Sequence, residues 1–265
     1  LATIDQENLY MPKLSAVIIT LNEERNIGRC IDSVKDIADE VIVVDSGSSD
    51  HTREICEEKG ASFVFNAWKG YIEQKNYANS LAKHPYLLSI DADEALSEKL
   101  RISILAIKED FGADGYEMNR LTNYCGKWIR HCGWYPDRKL RLFHRDKFEW
   151  GGERIHENMV QKVPDVNIEH LSGDLLHYSY YDISQHVAQA NHFTNMTAEL
   201  AFEKGKRAGM LKIIFSPMVK FIRDYIIKLG FLDGYYGYVV CRISAQATFM
   251  KYVKIMQMKK DNKAL

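Results

Sequence analysis

Short apolar runs alternating with segments of helical period constrain this chain more than any other feature. Leu14-Ser15-Ala16-Val17-Ile18-Ile19-Thr20, Glu40-Val41-Ile42-Val43-Val44, Ser62-Phe63-Val64-Phe65 and Tyr86 to Ile90 are rich in β-branched and aromatic side chains. Runs of this length suit strands buried on both faces. Between them, Ile27, Cys30, Ile31 and Val34 recur at helical spacing, HTREICEEKG has a capped start and a stop at Gly60, and residues 71–82 (YIEQKNYANSLA) supply a third helix. Strands alternating with helices predict an α/β fold, a parallel sheet joined by right-handed crossovers. With 265 residues, 46% of them hydrophobic and 27% charged, the chain can bury one large domain or a domain plus an appendage.

The fourth run ends abruptly. Leu87-Leu88-Ser89-Ile90-Asp91-Ala92-Asp93-Glu94 places three carboxylates within four residues. Open α/β sheets bind ligands just beyond the carboxyl ends of their strands, so Asp91 and Asp93 are expected at that edge. Two acids one residue apart can hold one hard divalent cation, with water and phosphate oxygens in its other positions. That is the chemistry of a nucleoside diphosphate bound through metal. The same residues also suit a helix start, with Asp93 or Ser97 as cap. Thr20 and Asn22 follow the first run and Asp45 the second, where a carboxylate can accept from a ribose or a ring N–H; Lys75 can meet a base carbonyl or a phosphate. Singly, Asp45 also reads as a turn or cap residue and Lys75 as a solvated helix face. No GxGxxG and no GxxxxGK(S/T) occurs, so the usual dinucleotide and Walker-type sites are unsupported.

Five cysteines form an odd set without a CxxC pair. Neither a disulfide framework nor structural zinc is indicated, and a reducing cytoplasm is the simplest setting. There is no basic-apolar-small signal at the start and no unbroken apolar run of about 18 residues. Residues 1–10 (LATIDQENLY) contain a fragment like a protease-tag site and are expected to form a leader outside the fold.

Charge is unevenly placed. From Lys204 onward there are 13 Lys/Arg against 3 Asp/Glu, which leaves 22 against 33 in residues 1–203, so +10 stands beside −11. No nucleic-acid motif accompanies this basic tail. Residues 182–203 have a cap at Asp182 or Ser184 and a helical period through Val187, Ala190, Thr197 and Ala201. Beyond Gly205, apolar residues interleave with Lys212, Lys220, Arg223 and Lys228 as a basic amphipathic helix, broken near Pro217 and Gly230; a second helix is expected from about Tyr235 to Met258. A membrane surface fits both characters. Packing onto the rest of the chain, or self-association as a homo-oligomer, explains the apolar face but leaves the charge unexplained.

Between these parts, residues 116–121 alternate like a strand and precede an aromatic and basic stretch: Tyr124, Trp128, Arg130, His131, Trp134, Tyr135, Arg138 and Arg141. Aromatic faces suit sugar rings, and arginines suit phosphorylated or acidic groups through forked hydrogen bonds. Aromatics rimming a small core are the other reading. His177 closes another apolar stretch, where an imidazole can ligate manganese or a similar ion, hydrogen-bond a diphosphate, or simply end a strand.

In order and spacing, TLNEE (20–24), VVDSGSSD (43–50), QKN (74–76) and DADE (91–94) resemble family 2 of the inverting nucleotide-sugar glycosyltransferases, over about residues 13–180. YPDRKLRLF, RIHE and FLDGYYGY bring the likeness nearest to the bacterial lipopolysaccharide inner-core β-1,4-glucosyltransferase group. The resemblance implies a GT-A fold, a Rossmann-like and mostly parallel sheet flanked by helices, over residues 11–181. Its donor half would be 11–95 and its acceptor half 96–181, with 182–265 as a helical appendage. It also implies that Thr20, Asn22, Glu23 and Asp45 hold the nucleoside, with Lys75 nearby, and that Asp91, Asp93 and His177 carry a metal-bound diphosphate with Mn or Mg. Glu157 would be the general base, with Glu153 the fallback and His156 an orienting neighbour, while Trp134, Arg138 and Arg141 would meet the acceptor. The implied activity is inverting transfer of a hexose, glucose in that group, from a UDP-sugar to a lipopolysaccharide-core saccharide at the inner face of the cytoplasmic membrane. Transfer to a polyprenyl phosphate or a protein, or donor binding without catalysis, are the alternatives.

Overall fold

The structure, a computed structural model, describes residues 13–153 and 156–261. The chain divides into two compact units, one of residues up to Asn119 with Arg138–Leu175, the other of Arg120–Asp137 with Leu176 onward.

In the first unit, β1 (Leu14–Thr20), α1 (Ile27–Val34), β2 (Glu40–Asp45), α2 (Thr52–Glu58), β3 (Ser62–Phe65), α3 (Tyr71–Leu81) and β4 (Tyr86–Asp91) alternate as the sequence predicts. β1 pairs in parallel with β2 on one side and β4 on the other, and β2 with β3. All seven residues of β1 are buried. Leu14, Ala16 and Ile18 enter one core with Ile27, Ile31 and Leu88; Val17 and Ile19 enter a second with Ile42, Val44 and Leu87. This two-sided burial explains why the strands read as unbroken apolar runs rather than alternating ones. Each fully buried aliphatic side chain contributes about 1.5–3 kcal/mol, so the two cores, not the polar groups at the sheet edge, supply the bulk of the stability.

β4 leads through a turn into β5 (Glu94–Leu96) and α4 (Glu98–Lys108). The cap of α4 is Ser97, whose Oγ accepts from the Leu100 N–H at 3.3 Å. Both local readings of DADE are thus present in succession: Asp91 ends one strand, and four residues after Glu94 a helix starts with Ser97, not Asp93, as its cap. There follow β6 (Gly115–Tyr124), β7 (Lys127–Ile129), β8 (Asp137–His144), β9 (Phe148–Glu153), β10 (His156–Gln161) and β11 (Ile168–Tyr180). Among the described residues the main sheet runs β3-β2-β1-β4-β8-β6-β11-β5 with β7 on β6, and β9 and β10 form a separate hairpin. It is parallel through β4 and antiparallel where β8 joins β4.

The second unit is led by α5 (Ile183–Glu203), α6 (Met210–Ile222) and α7 (Gly234–Asp261). Asp182 caps α5, its Oδ1 accepting from the Gln185 N–H at 2.8 Å. α7 packs on both α5 and α6. The expected break at Pro217 is absent, because α6 runs through it. Packing against α7 outweighs the lost backbone hydrogen bond, as tertiary contacts commonly override local propensity. The irregularity falls later, in a π-helical turn at Arg223–Ile227, a left-handed Leu229 and a 3-10 turn at Gly230–Asp233. Here FLDGYYGY finds its reason: a Cβ on Gly237 would lie 2.0 Å from the Gly230 carbonyl oxygen. Among the described residues no helix is long and apolar enough to cross a membrane.

Tyr124, Trp134 and Tyr180 surround His186, whose Nδ1 lies 3.0 Å from the Tyr124 hydroxyl, and Tyr236 packs on Tyr124. Burial pushes the His186 imidazole down to about 4. A folded-state value below the unfolded one means that stability held above about pH 6.5 is lost as pH falls toward 4. Urea unfolding of the full chain should therefore lose midpoint across this window more steeply in the wild type than in His186→Gln. Equal pH slopes for the two proteins would contradict a buried neutral histidine.

Candidate active site

The register of the parallel strands brings the polar residues to one edge: Thr20 pairs with Asp45, and Ile19 with Asp91. The loops that leave β1 and β2 are laced together there. The Asn22 N–H donates to Ser48 Oγ at 2.8 Å, the Ser49 N–H to Asn22 Oδ1 at 2.8 Å, and the Glu23 N–H to Thr52 Oγ1 at 2.9 Å. Asn22 takes a left-handed φ of 54° to do so, a conformation its short amide tolerates better than most side chains. Asp45 is buried and accepts from the Gly47 and Ser48 N–H groups at 2.7 and 2.8 Å and from the Ser48 hydroxyl. Its carboxylate builds the turn. Glu23 accepts from Asn26 Nδ2 at 2.7 Å. Thr20 Oγ1 is buried at this edge and has no hydrogen-bond partner among the described residues.

Beside this platform lies a chain of charges. Lys75, on α3, is buried, with Nζ 3.0 Å from Asp91 Oδ1 and 3.8 Å from Glu157 Oε1. Arg141, on β8 and 4% exposed, places one terminal nitrogen 3.1 Å from Asp91 Oδ2 and 2.9 Å from Glu94 Oε1. Glu94 in turn accepts from the Asp91 N–H at 3.1 Å through its other oxygen. The Trp150 ring covers both cations, 4.3 Å from Lys75 Nζ and 5.2 Å from the Arg141 guanidinium carbon. Trp150 is itself pinned: Asn76 exchanges hydrogen bonds of 2.8 and 2.9 Å with its backbone, and its indole N–H reaches Ser89 Oγ at 3.2 Å. QKN therefore faces inward, with Gln74 bonded to Asn66 and Ser46.

Electrostatics confirm the convergence. Burial, then Asp91, Glu157 and Asp93, push the Tyr71 phenol above its ordinary value. Burial would lower the Arg141 guanidinium, but Glu94 and Asp91 outweigh it and raise it further above its already high value. Beneath the acids, the Cys30 thiol is held well above its usual range by burial, Glu94, Asp93 and Asp91, which leaves it inert as a nucleophile.

Three carboxylates, those of Asp91, Glu94 and Glu157, thus share two cations, and Asp93 follows Asp91 by two residues. The remaining acidity and all-oxygen donors suit a hard divalent cation. Among the described residues no three His, Cys, Asp or Glu side chains gather as a cage. Mg-like ions commonly take one or two carboxylates and complete their shell with water and substrate phosphates, so the donor set fits a cation that arrives with a diphosphate.

His177, on β11, belongs to the second unit and lies 3.4 Å from Thr122 Oγ1 through Nδ1. Trp134 packs in that unit's aromatic cluster, edge-on to Tyr124. Arg138 is exposed on β8. Arg141, expected at the acceptor, is buried among the acids instead. Glu153 and His156 have side chains outside the described set. Trp150 and Tyr71 were not anticipated, and Glu94 only as the third acid of DADE.

A profile of the family described as Glycosyl transferase family 2 matches residues 15–158, the stretch that carries every residue of this sheet edge. The chain belongs to that family and is a glycosyltransferase. The lipopolysaccharide core biosynthesis glycosyltransferase LpsC of Rhizobium meliloti is 31% identical over 93% of this chain and 94% of its own length. An uncharacterized glycosyltransferase of Rickettsia bellii is 34% identical over 94% of this chain and 88% of its own. Among solved structures, glucosyl-3-phosphoglycerate synthase from Mycobacterium tuberculosis, in complex with manganese, UDP and glucosyl-3-phosphoglycerate, aligns at a TM-score of 0.36 and 22% identity, over 42% of this chain and 44% of that one.

Removing one member of a buried ionic network strands the others, typically at about 3–5 kcal/mol. Arg141→Gln should thus lower unfolding stability by about that amount, measured by urea titration, because Asp91 and Glu94 lose their shared counter-ion. A loss below about 1 kcal/mol would show that water replaces the guanidinium and that the cluster is solvated.

Proposed function

We propose that this enzyme transfers a hexose with inversion from a UDP-sugar to a hydroxyl of a lipid-linked saccharide of the lipopolysaccharide-core type. The observation that carries the proposal is the shared lysine: Lys75 touches both Asp91, at the diphosphate edge, and Glu157, whose side chain stays 28% exposed. A base and a phosphate-edge acid are thereby held by one buried cation. The nucleoside would rest on the laced loops of Thr20, Asn22, Glu23 and Asp45, where the Thr20 hydroxyl has no partner among the described residues. Asp93, with Asp91, would hold Mn or Mg, which when bound offsets the charge of the diphosphate.

Glu157 accepts the proton of the acceptor hydroxyl. The acceptor oxygen forms its bond to the anomeric carbon as the bond from that carbon to the UDP oxygen breaks, and a single displacement inverts the centre. Lys75 and Arg141 hold Asp91 and, through it, the edge. Arg138 and Trp134 are assigned to the acceptor side, and the name of the Rhizobium relative supports a core saccharide.

Peripheral attachment to the inner membrane face is part of this reading. Its support is the helical unit, where Leu211 (73% exposed), Val219 (62%) and Ile227 (71%) stand beside Lys206, Arg207, Lys212 and Lys228.

Asp93→Asn should abolish transfer and weaken manganese-dependent UDP binding at least about tenfold, since one charged oxygen ligand is lost at nearly constant volume. Glu157→Gln should keep UDP binding and lower kcat by about 100-fold or more. Transfer assays with a core acceptor, paired with UDP titrations, separate the two; a fully active Glu157→Gln enzyme beside a dead Glu153→Gln would move the base.

The full chain should cosediment with anionic vesicles at low salt and release at high salt, as the Debye length shrinks from about 10 Å at 0.1 M to about 3 Å at 1 M. Indifference to anionic vesicles at every salt concentration would sink the membrane attachment.

A further inference from the structure

The loop after β7 and the turn between α6 and α7 enclose a cleft of about 400 Å³ in the second unit, lined by Arg130, His131, Tyr135 and Lys228. We infer that this cleft binds a phosphate ester, carried by the acceptor saccharide or by a lipid headgroup. The inference deepens the proposed transferase reading, on which it rests for the source of the ligand.

Four observations converge. First, the lining holds two permanent cations and no acid, and among the described residues neither Arg130 nor Lys228 pairs with a carboxylate. A concavity lined by one sign of charge focuses its field and raises the local concentration of anions. Second, both are positioned rather than loose. The Arg130 guanidinium lies over the Tyr135 ring at 5.6 Å. The Lys228 side chain lies against Gly133, where a Cβ would fall 2.5 Å from Nζ, so the glycine makes room for the ammonium.

Third, the loop bearing Arg130 is fixed from beneath. Asp233, nearly buried, accepts from the Arg130 and His131 N–H groups at 3.2 and 2.8 Å and sits 3.0 Å from His131 Nδ1, which must donate to it because a carboxylate only accepts. The Cys132 N–H then donates to the Lys228 carbonyl at 3.2 Å and ties the two walls together. The DG of FLDGYYGY, which the donor site does not use, thus supports this cleft. Fourth, one lip is apolar: Ile227 and Leu229, 71% and 44% exposed, continue the exposed surface of α6.

Donors on two facing segments suit a phosphate, whose three terminal oxygens accept from several directions, better than a two-oxygen carboxylate. An apolar lip beside such a pocket suits an ester anchored near acyl chains.

The test uses the full chain, wild type and Arg130→Gln/Lys228→Gln, titrated by calorimetry with glucose 6-phosphate, glucose and glucuronate, and by flotation with phosphatidic acid and phosphatidylcholine vesicles. UDP binding is measured on the same samples. The expected result is that the wild type binds glucose 6-phosphate, or phosphatidic acid vesicles, at least tenfold more tightly than the double variant, with UDP binding equal in both. Loss confined to the sugar phosphate assigns the ester to the acceptor, and loss confined to the vesicles assigns it to a headgroup; either supports the cleft. Equal binding of both probes by the two proteins, or glucuronate binding as tightly as the ester, overturns it. Absence of UDP binding in the wild type would count against the transferase reading alone, because the phosphate titrations do not involve the donor site.

Discussion

Asp91 is the residue on which the charged sheet edge turns. Its two oxygens are held by cations from different parts of the chain, Lys75 from α3 and Arg141 from β8, while its own N–H is taken by Glu94. Such an arrangement contributes little net stability. Desolvating each ion costs several kcal/mol, and a set of apolar side chains of the same volume is often as stable or more so. The cluster is therefore better understood as a positioning device, held in place by the two apolar cores on either side of β1 and β4. Those cores do the stabilising; the charges fix where acids stand.

The period of the strands makes that positioning strict. Thr20, Asp45 and Asp91 reach the same edge only because β1, β2 and β4 end in step, with Thr20 opposite Asp45 and Ile19 opposite Asp91. A slip of one residue in β4 would turn Leu88 and Ile90 out of one core and Leu87 out of the other, so the hydrophobic pattern itself forbids it. Apolar burial thus determines the register, and the register determines where the carboxylates converge. Trp150 completes this by roofing the two cations while Asn76 fixes its backbone.

How much of this the sequence disclosed follows from the range of each interaction. The four parallel strands and their helices were legible because both-face burial and the 3.6-residue period are local patterns, and DADE was legible because an apolar run seldom ends in three acids. The pairing of Lys75 and Arg141 with Asp91 was not. Their partners lie 16 and 50 residues away from them at Asp91, and no local period marks a lysine on a polar helix as buried. Arg141 sat among aromatics and arginines that all looked alike, so it was grouped with acceptor residues. Pro217 misled for the opposite reason: its local signal is strong, but packing of α6 against α7 overrode it. Nor could spacing reveal that residues 120–137 belong with the C-terminal helices, a grouping set by Asp233 and by the aromatic packing around Tyr124.

That grouping bears on the lipid-linked acceptor proposed above. The residues assigned to the sugar nucleotide all lie within 15–158, the stretch matched by the family profile, and in the first unit. The exposed apolar helices, the basic excess and the Arg130–Lys228 cleft all lie in the second. A single unit therefore combines a surface suited to acyl chains with a concavity suited to an anion, and the 120–137 excursion, leaving from β6 and returning to β8, is what supplies half of that concavity. Under the proposed function, the acidic first unit and basic second unit make physical sense on the same terms: a site that recruited a cation with its diphosphate would need surplus carboxylate, whereas a surface that met anionic lipid or phosphorylated saccharide would need surplus ammonium and guanidinium. Mixing the two on one surface would neutralise both, so their segregation along the chain is the condition under which each can work.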